Sequence, residues 1–191
     1  MKIYNEAYHT VNHGQFLDIV MEKKDMATEE DYLEMIEKKT ACLFEASISI
    51  GALLADAGQD QIRNLANYAK EMAIAFQLTD DIMDISEDMS KGHALGSDIK
   101  SGKKTLLIIK ALENGTEKEK KDLKQILGTN TAEEKIKRAI EIINRNSLDY
   151  VKEEANRRIK KAKDILKQLD IKKDSKNFFN EFADHMVARR K

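Results

Sequence analysis

The chain has 191 residues, enough for one large domain with a buried core. Its 33 basic and 34 acidic residues leave a net charge of −1, so no overall field would attract nucleic acid or an anionic membrane surface. Proline is absent and glycine is scarce, which favours an all-α fold. The single cysteine, Cys42, excludes an internal disulfide framework.

No run of 18 apolar residues occurs, and Met1 is followed directly by a charged amphipathic segment. We therefore expect a soluble, cytoplasmic protein with no membrane span. No internal repeat, linker or low-complexity tract divides the sequence, so residues 1–191 are expected to form a single helical domain.

The first predicted helix runs from Met1 to about Lys24. Gly14, near its middle, would allow another element to pack closely. Gln15 and Asp18 share one face of this helix by their three-residue spacing. The pattern leaves two interpretations open, a functional pair or two solvated polar residues.

A second helix is predicted from Thr28, a capping residue followed by three acids, to Ala55. Lys39 and Thr40 lie where this helix changes from mostly charged to mostly apolar. A lysine at such an edge can line a pocket, or it can extend its charge into solvent from an ordinary core helix.

A third helix follows the short turn at Asp56–Gln59 and continues towards Ser86. Because the connection is short, we expect it to pack antiparallel to the second helix. Lys39 and Thr40 would then face Gln77 and Asp81.

The third helix ends in three aspartates, Asp80, Asp81 and Asp84. Asp80 and Asp84 are one turn apart, and carboxylates at that spacing repel each other. The surrounding residues are apolar, so burial should add to this cost. We interpret the group as a metal site, and a solvated acidic cluster on a generic helical protein is the alternative.

Residues 87–102 are predicted to form a loop, and a new helix is predicted from Lys103 to Leu112. Glycine followed by lysines at a helix start is a plausible diphosphate site, because ammonium groups and free amides both face the anion. A nucleotide P-loop is excluded because Ser97 replaces the required first glycine and no strand precedes the segment.

The remaining chain predicts helical scaffolding. Thr116 with Glu119 and Thr131 with Glu134 have capping-box spacing. A charged amphipathic helix should cover Ser147–Leu169, its charges forming a solvated surface. A last helix from about Ser175 should bury its apolar residues, Phe178, Phe179, Phe182, Met186 and Val187. It ends in Arg189, Arg190 and Lys191, which are either a frayed basic end or a cover for an anionic substrate.

The stretch from Phe76 to Thr105 resembles the second aspartate-rich region of the trans-isoprenyl (polyprenyl) diphosphate synthases, a family that includes farnesyl and geranylgeranyl diphosphate synthases. The matching residues are Phe76-Gln77, Asp80-Asp81-Ile82-Met83-Asp84, Gly92, Gly96, Asp98, Gly102-Lys103 and Thr105. Gly14-Gln15 with Leu17-Asp18, Lys39-Thr40 and Gly51-Ala52 follow in the family's order.

The resemblance implies an isoprenoid synthase-like helical barrel, usually a homodimer, that condenses an allylic diphosphate with isopentenyl diphosphate using Mg²⁺. Asp80 would bind the metal directly, and Asp81 and Asp84 would hold it or its waters. The resemblance also implies that Lys39 and Lys103 contact the allylic diphosphate and that Thr40 and Gln77 lie near the developing cation. Further contacts to the diphosphates would come from Gln15, Arg189, Arg190 and Lys191.

Two departures from the family pattern bear on activity. His93 stands where the family usually has a lysine, and the sequence contains no first aspartate-rich region, so we expect a barrel that is incomplete on its N-terminal side. We expect a truncated synthase portion with little activity alone. The alternative is a noncatalytic subunit that pairs with a full-length synthase and modulates it.

Overall fold

The computed structural model describes residues 1–86, 95–129 and 131–188, and every regular element within these ranges is helical. The helices are α1 (Lys2–Glu22), α2 (Glu29–Ile36), a π-helix (Glu37–Ala41), α3 (Cys42–Leu54), α4 (Gln59–Asp84), α5 (Ser97–Ser101), α6 (Leu106–Asn114), α7 (Glu117–Ile126), α8 (Glu133–Asn146), α9 (Leu148–Gln168) and α10 (Lys173–Val187). The all-α prediction is confirmed. None of the described helices is long and apolar enough to cross a membrane.

Three predicted boundaries need correction. The second helix is not one α-helix, because the π-helix Glu37–Ala41 separates α2 from α3. The predicted loop contains the short helix α5, although residues 87–94 lie outside the described ranges. The helix predicted from Lys103 begins only at Leu106, because Thr105 at its N-cap is extended, with ψ of 162°.

The two predicted capping boxes have different outcomes. Thr116 and Glu119 exchange both capping bonds at the start of α7, as predicted. The helix expected near Thr131 does form, but Ala132 is its N-cap and no side chain caps it. The same sequence pattern therefore gives a capping box at only one of the two places.

Two predictions about side-chain burial are wrong. Phe178 is 61% exposed rather than buried, because it lies on the outer side of α10. Glu154 in the charged helix α9 is buried, and its carboxylate pairs with Arg157 and Arg158. The two arginines take the place of the water that we expected around this carboxylate.

The described chain forms two compact units. Unit 1 consists of Met1–Phe16, Glu34–Gln77 and Glu154–Lys191, and unit 2 of Leu17–Leu33 and Leu78–Glu153. That they act as a single domain stays a prediction.

The core of unit 1 lies between α3, α4, α9 and α10. Its buried residues are Ala52, Leu65, Tyr68, Ala69, Met72, Ala75, Ile159, Ala162, Leu166, Leu169 and Ala183. Small residues alternate with larger apolar ones, which lets the helices approach closely and still fill the space between them. Tyr68 fits this core because its hydroxyl donates a hydrogen bond of 2.6 Å to the Phe179 carbonyl.

Unit 2 has its own core, to which α6 and α8 contribute most. Most of helix α6 is apolar and buried, with Leu106, Leu107, Ile108, Ile109, Ala111 and Leu112 enclosed. Helix α8 packs against α6 and α7 through one isoleucine-rich face. A helix that buries most of its side chains in this way belongs in the centre of a helical unit.

Unit 1 leaves large apolar side chains in solvent at the end of α3. Leu53 is 50% exposed and Leu54 81%. Adjacent exposed leucines of this kind favour association with another apolar surface.

We expect the purified chain to self-associate in a concentration-dependent way, measured by sedimentation velocity. The double substitution Leu53→Glu/Leu54→Glu should reduce association without loss of helicity, because both side chains already contact water. Gln168→Glu/Asn177→Glu adds the same two charges at other exposed positions and should change association little. A monodisperse wild-type monomer would show that these leucines drive no association.

Candidate functional site

Three aspartates lie in unit 2 at the C-terminal end of α4. Asp80 is exposed, Asp84 is partly buried and Asp81 is only 6% exposed. The helix dipole places a partial negative charge at this same end, which adds to the repulsion between the carboxylates. The group therefore favours donors or a cation around it.

The carboxylate of Asp81 is held by Tyr32 from α2. The fully enclosed Tyr32 hydroxyl donates a hydrogen bond of 2.6 Å to Asp81 Oδ2. Burial, together with the charge of Asp81, raises the pKa of Tyr32 well above its ordinary value. The phenol therefore stays protonated and acts as the donor. A hydrogen bond to a charged group contributes roughly 1.5–3 kcal/mol.

Both carboxylate oxygens of Asp84 accept bonds from the start of α5. The Ser97 amide and hydroxyl donate to Oδ1, and the Asp98 amide donates to Oδ2 at 3.1 Å. The Gly96 amide also donates to the Asp84 carbonyl, at 2.9 Å. Asp84 thus acts as an anionic cap that fixes α5 to the end of α4.

Asp98 is a further carboxyl in this group. Burial, reinforced by the negative charge of Asp84, raises its pKa from 3.8 to about 6. Lys103 opposes this shift without cancelling it. Asp98 is therefore protonated more readily than an ordinary aspartate, chiefly because it is buried.

Lys103 does not point freely into solvent. Its ammonium group forms ion pairs with the buried Asp18, at 2.6 Å, and with Glu22, at 2.7 Å. Burial lowers the pKa of Lys103, but the hydrogen bonds to these two carboxylates outweigh it and raise the pKa overall. Among the described residues, the neighbouring Lys104 forms no such bonds, and burial lowers its pKa.

The residues present fit Mg²⁺ delivered with a diphosphate better than a metal held by protein alone. Within the described ranges, no three Asp, Glu, His or Cys side chains are grouped to hold a metal ion. Mg²⁺ usually keeps several waters and binds one or two carboxylates together with substrate phosphates. Exposed Asp80 beside the anchored Asp81 and Asp84 meets that requirement.

A second group of predicted residues lies in unit 1, where α1 crosses the π-helix. A Cβ atom added to Gly14 would lie 2.3 Å from the Lys39 amide nitrogen and 2.5 Å from its Cα atom. Only glycine permits this approach, as the sequence predicted. The contact fixes the backbone of the segment that presents Lys39 and Thr40, and π-helical turns are frequent at functional sites.

Thr40 and Gln77 meet in unit 1. The Thr40 hydroxyl donates a hydrogen bond of 3.0 Å to Gln77 Oε1. The prediction that the middle of the second helix faces Gln77 is confirmed for this pair. Gln15 is exposed on α1, beside the buried Gly14.

An apolar cavity of about 450 Å³ lies in unit 1 between α3, α4 and α10. Its two hydroxyl groups are already bonded, Ser47 to the Leu43 carbonyl and Tyr68 to the Phe179 carbonyl. The cavity thus offers contacts to hydrocarbon rather than to a polar ligand. It is lined by Leu43, Phe44, Ser47, Ile48, Tyr68, Ala69, Met72, Phe179 and Phe182.

Some predicted residues lie outside the described ranges, and some residues at the site were not predicted. His93, Arg189, Arg190 and Lys191 lie outside the described residues. Sequence reasoning assigned no role to Tyr32, Glu22 or Ser97, whose partners are distant along the chain. Asp18 was noticed through its spacing from Gln15, but its partner Lys103 is 85 residues away.

A family model described as polyprenyl synthetase matches residues 1–143. The chain belongs to the polyprenyl synthetase family. Among curated relatives, it is 44% identical over 154 residues to a short chain isoprenyl diphosphate synthase of Methanocaldococcus jannaschii, covering 80% of this chain and 46% of the relative. A geranylgeranyl diphosphate synthase of Sulfolobus acidocaldarius is 38% identical, covering 99% of this chain and 58% of the relative.

A solved structure supports the same family fold. The geranylgeranyl pyrophosphate synthase of Corynebacterium glutamicum, crystallised with isoprenyl diphosphate and magnesium, matches with a TM-score of 0.94 and 25% identity. The match covers 99% of this chain and 55% of that one. This polyprenyl synthetase chain thus spans only about half the length of the relatives it matches.

Gly14→Ala should lower the free energy of unfolding by roughly 1–3 kcal/mol, because the new methyl group overlaps the Lys39 backbone. Urea unfolding followed by circular dichroism measures this. Gly51→Ala in α3 is the matched control, since its Cβ would enter open space and alanine should stabilise the helix by roughly 0.5–1 kcal/mol. Equal effects of the two substitutions would contradict the proposed role of Gly14.

Asp98 should make stability fall as pH rises from about 4 to about 6, because its folded-state pKa of about 6 exceeds its ordinary 3.8. Asp98→Asn cannot ionise and should flatten this dependence, measured by urea unfolding across that range. Asp164, whose pKa is lowered by its bond to Lys167, is the control. Asp164→Asn should alter the pH dependence only below 3.8. An unchanged slope in Asp98→Asn would place its pKa outside this window.

Proposed function

We propose that this chain carries the second diphosphate-binding half of a prenyltransferase site that condenses an allylic diphosphate with isopentenyl diphosphate. The allylic carbon–oxygen bond breaks and its electron pair leaves with the diphosphate. The double bond of isopentenyl diphosphate attacks the resulting cation, and loss of a proton restores a double bond. The product is five carbons longer.

The observation that carries this proposal is the arrangement of carboxylates at the end of α4. Asp81 and Asp84 are anchored by Tyr32 and by the start of α5, whereas Asp80 stays exposed. Asp80 would therefore be the direct metal ligand, with Asp81 and Asp84 orienting it or its waters. Mg²⁺, when bound, neutralises the leaving diphosphate and lowers the barrier to ionisation.

Lys103 would bind the allylic diphosphate by exchanging partners. Its ammonium group forms ion pairs with Asp18 and Glu22. A diphosphate carries more charge than these two carboxylates and can accept the same donors. The pairing keeps Lys103 protonated and close to the anion site.

The polar residues of unit 1 would support the developing cation. The Thr40 hydroxyl and the Gln77 amide oxygen already share a hydrogen bond, and oxygen dipoles of this kind stabilise positive charge in a site that excludes water. Lys39 would contact the diphosphate. The apolar cavity lined in part by Leu43 and Phe44 would receive the prenyl chain.

Gln15, Arg189, Arg190 and Lys191 complete the proposed set as further diphosphate contacts. The chain has no first aspartate-rich region, so we expect it to have little activity alone. The alternative is a noncatalytic subunit that pairs with a full-length synthase and modulates it. The exposed Leu53 and Leu54 favour association, in such a pair or in a homodimer.

Inorganic pyrophosphate should bind the wild-type chain in the presence of Mg²⁺, and Asp80→Asn should weaken this binding by at least about 10-fold, since a metal ligand is lost. Isothermal titration calorimetry measures the affinity. Asp60→Asn removes an exposed aspartate from the other end of α4 and should change nothing. Equal behaviour of the two variants would reject Asp80 as a ligand.

The same samples test the expected activity. Incubation with an allylic diphosphate, isopentenyl diphosphate and Mg²⁺ should give little or no product from this chain alone. Efficient turnover would overturn the expectation that the missing aspartate-rich region is needed, while leaving the pyrophosphate site in place.

A further inference from the structure

Helix α2 connects the aspartates to the rest of unit 2 through Tyr32, which precedes Asp81 by 49 residues. The helix carries none of the predicted site residues. Its N-terminus is closed by a reciprocal pair of bonds. The Thr28 amide donates to Asp31 Oδ2 at 3.0 Å, and the Asp31 amide donates to Thr28 Oγ1 at 3.1 Å. Lys24 adds an ion pair to Asp31 at 2.7 Å. The first turn of α2 therefore has a defined conformation.

The outer side of this turn is tied to α6 and α9 through Glu29. Lys110 pairs with the Glu29 carboxylate at 2.8 Å, and the Tyr150 hydroxyl donates to the same carboxylate at 2.9 Å. The Lys110 ammonium also lies 4.8 Å from the centre of the Tyr150 ring. Since the Lys110 side chain is only 14% exposed, water weakens this ion pair less than an ordinary surface pair.

The inner side of α2 reaches Asp81. Tyr32 lies three residues after Glu29, and its hydroxyl donates to Asp81 Oδ2 at 2.6 Å. The phenol ring is 1% exposed, so packing leaves it little freedom to change rotamer. Asp81 Oδ2 is thus held by the rigid Tyr32 side chain, and the helix that carries Tyr32 is itself anchored through Glu29.

We propose that Tyr32 is a positioning residue for Asp81, and that α2, fixed by Glu29 to Lys110 and Tyr150, is the strut that holds the Asp81 carboxylate in its metal-binding orientation. This inference rests on the proposed function, because it takes Asp81 to be part of the Mg²⁺ site. Partners that orient metal-binding carboxylates from behind typically affect metal affinity by 10–100-fold.

Tyr32→Phe removes only the hydroxyl that reaches Asp81. We expect the affinity of the chain for inorganic pyrophosphate in the presence of Mg²⁺ to fall by about 10-fold. Isothermal titration calorimetry at several Mg²⁺ concentrations measures this. The loss should grow as Mg²⁺ becomes limiting, because the metal contact is what weakens.

Ser147→Ala is the matched control. Ser147 is also buried, and its hydroxyl donates at 2.7 Å, but to the Ile143 carbonyl within α8 and not to a carboxylate of the proposed site. Both variants lose a buried hydrogen bond, and urea unfolding should show that both are destabilised. Only Tyr32→Phe should lose pyrophosphate affinity. Equal loss of affinity in the two variants would overturn the inference.

A double-mutant cycle with Asp81→Asn separates positioning from general loosening. If Tyr32 acts through the Asp81 carboxylate, Tyr32→Phe should weaken pyrophosphate binding much less in the Asp81→Asn background than in the wild type. Additive effects would overturn the inference. The cycle uses differences in affinity between folded proteins, and circular dichroism checks that each variant is folded.

The outcomes distinguish this inference from the proposed function. Binding by the wild type that is lost in Asp80→Asn but unchanged in Tyr32→Phe supports the site and rejects the strut. Absence of Mg²⁺-dependent binding in the wild type rejects both.

Discussion

The concentration of negative charge at the end of α4 is the constraint that organises unit 2. Two carboxylates one turn apart, a third between them and the negative end of the helix dipole would together oppose folding if left in an apolar surrounding. The structure gives each carboxylate a different environment. Asp81 has a phenol donor, Asp84 has the amides of α5, and Asp80 has solvent.

The three environments suit the carboxylates to different roles in a metal site. Carboxylates that accept hydrogen bonds from the protein keep their orientation, and a carboxylate left exposed can exchange water for a cation. The positively charged Lys103 is oriented in a similar way, because its ammonium group is paired with Asp18 and Glu22. Such preorganisation reduces the reorganisation needed when ligand arrives.

Sequence reasoning succeeded where the information is local and failed where it depends on distant partners. The aspartates and Gly14 are recognisable from spacing and residue type alone. Tyr32 is not, because an aromatic residue at helical spacing predicts core packing and gives no sign of a hydroxyl partner 49 residues away. Thr116 and Thr131 have the same capping pattern, yet only Thr116 forms the box. The pattern alone does not distinguish the two places.

The π-helix has a consequence for the direction in which α3 presents its side chains. The Cys42 amide bonds to the Glu37 carbonyl, five residues back, so this turn holds one residue more than an α-turn. Each residue of an α-helix advances the side-chain direction by about 100°. The extra residue therefore offsets the angular phase of α3 from that of α2 by about 100°. Residues 37–41 therefore rotate the buried face of α3 relative to that of α2. One α-helical hydrophobic pattern drawn from residue 29 to residue 54 cannot describe both helices.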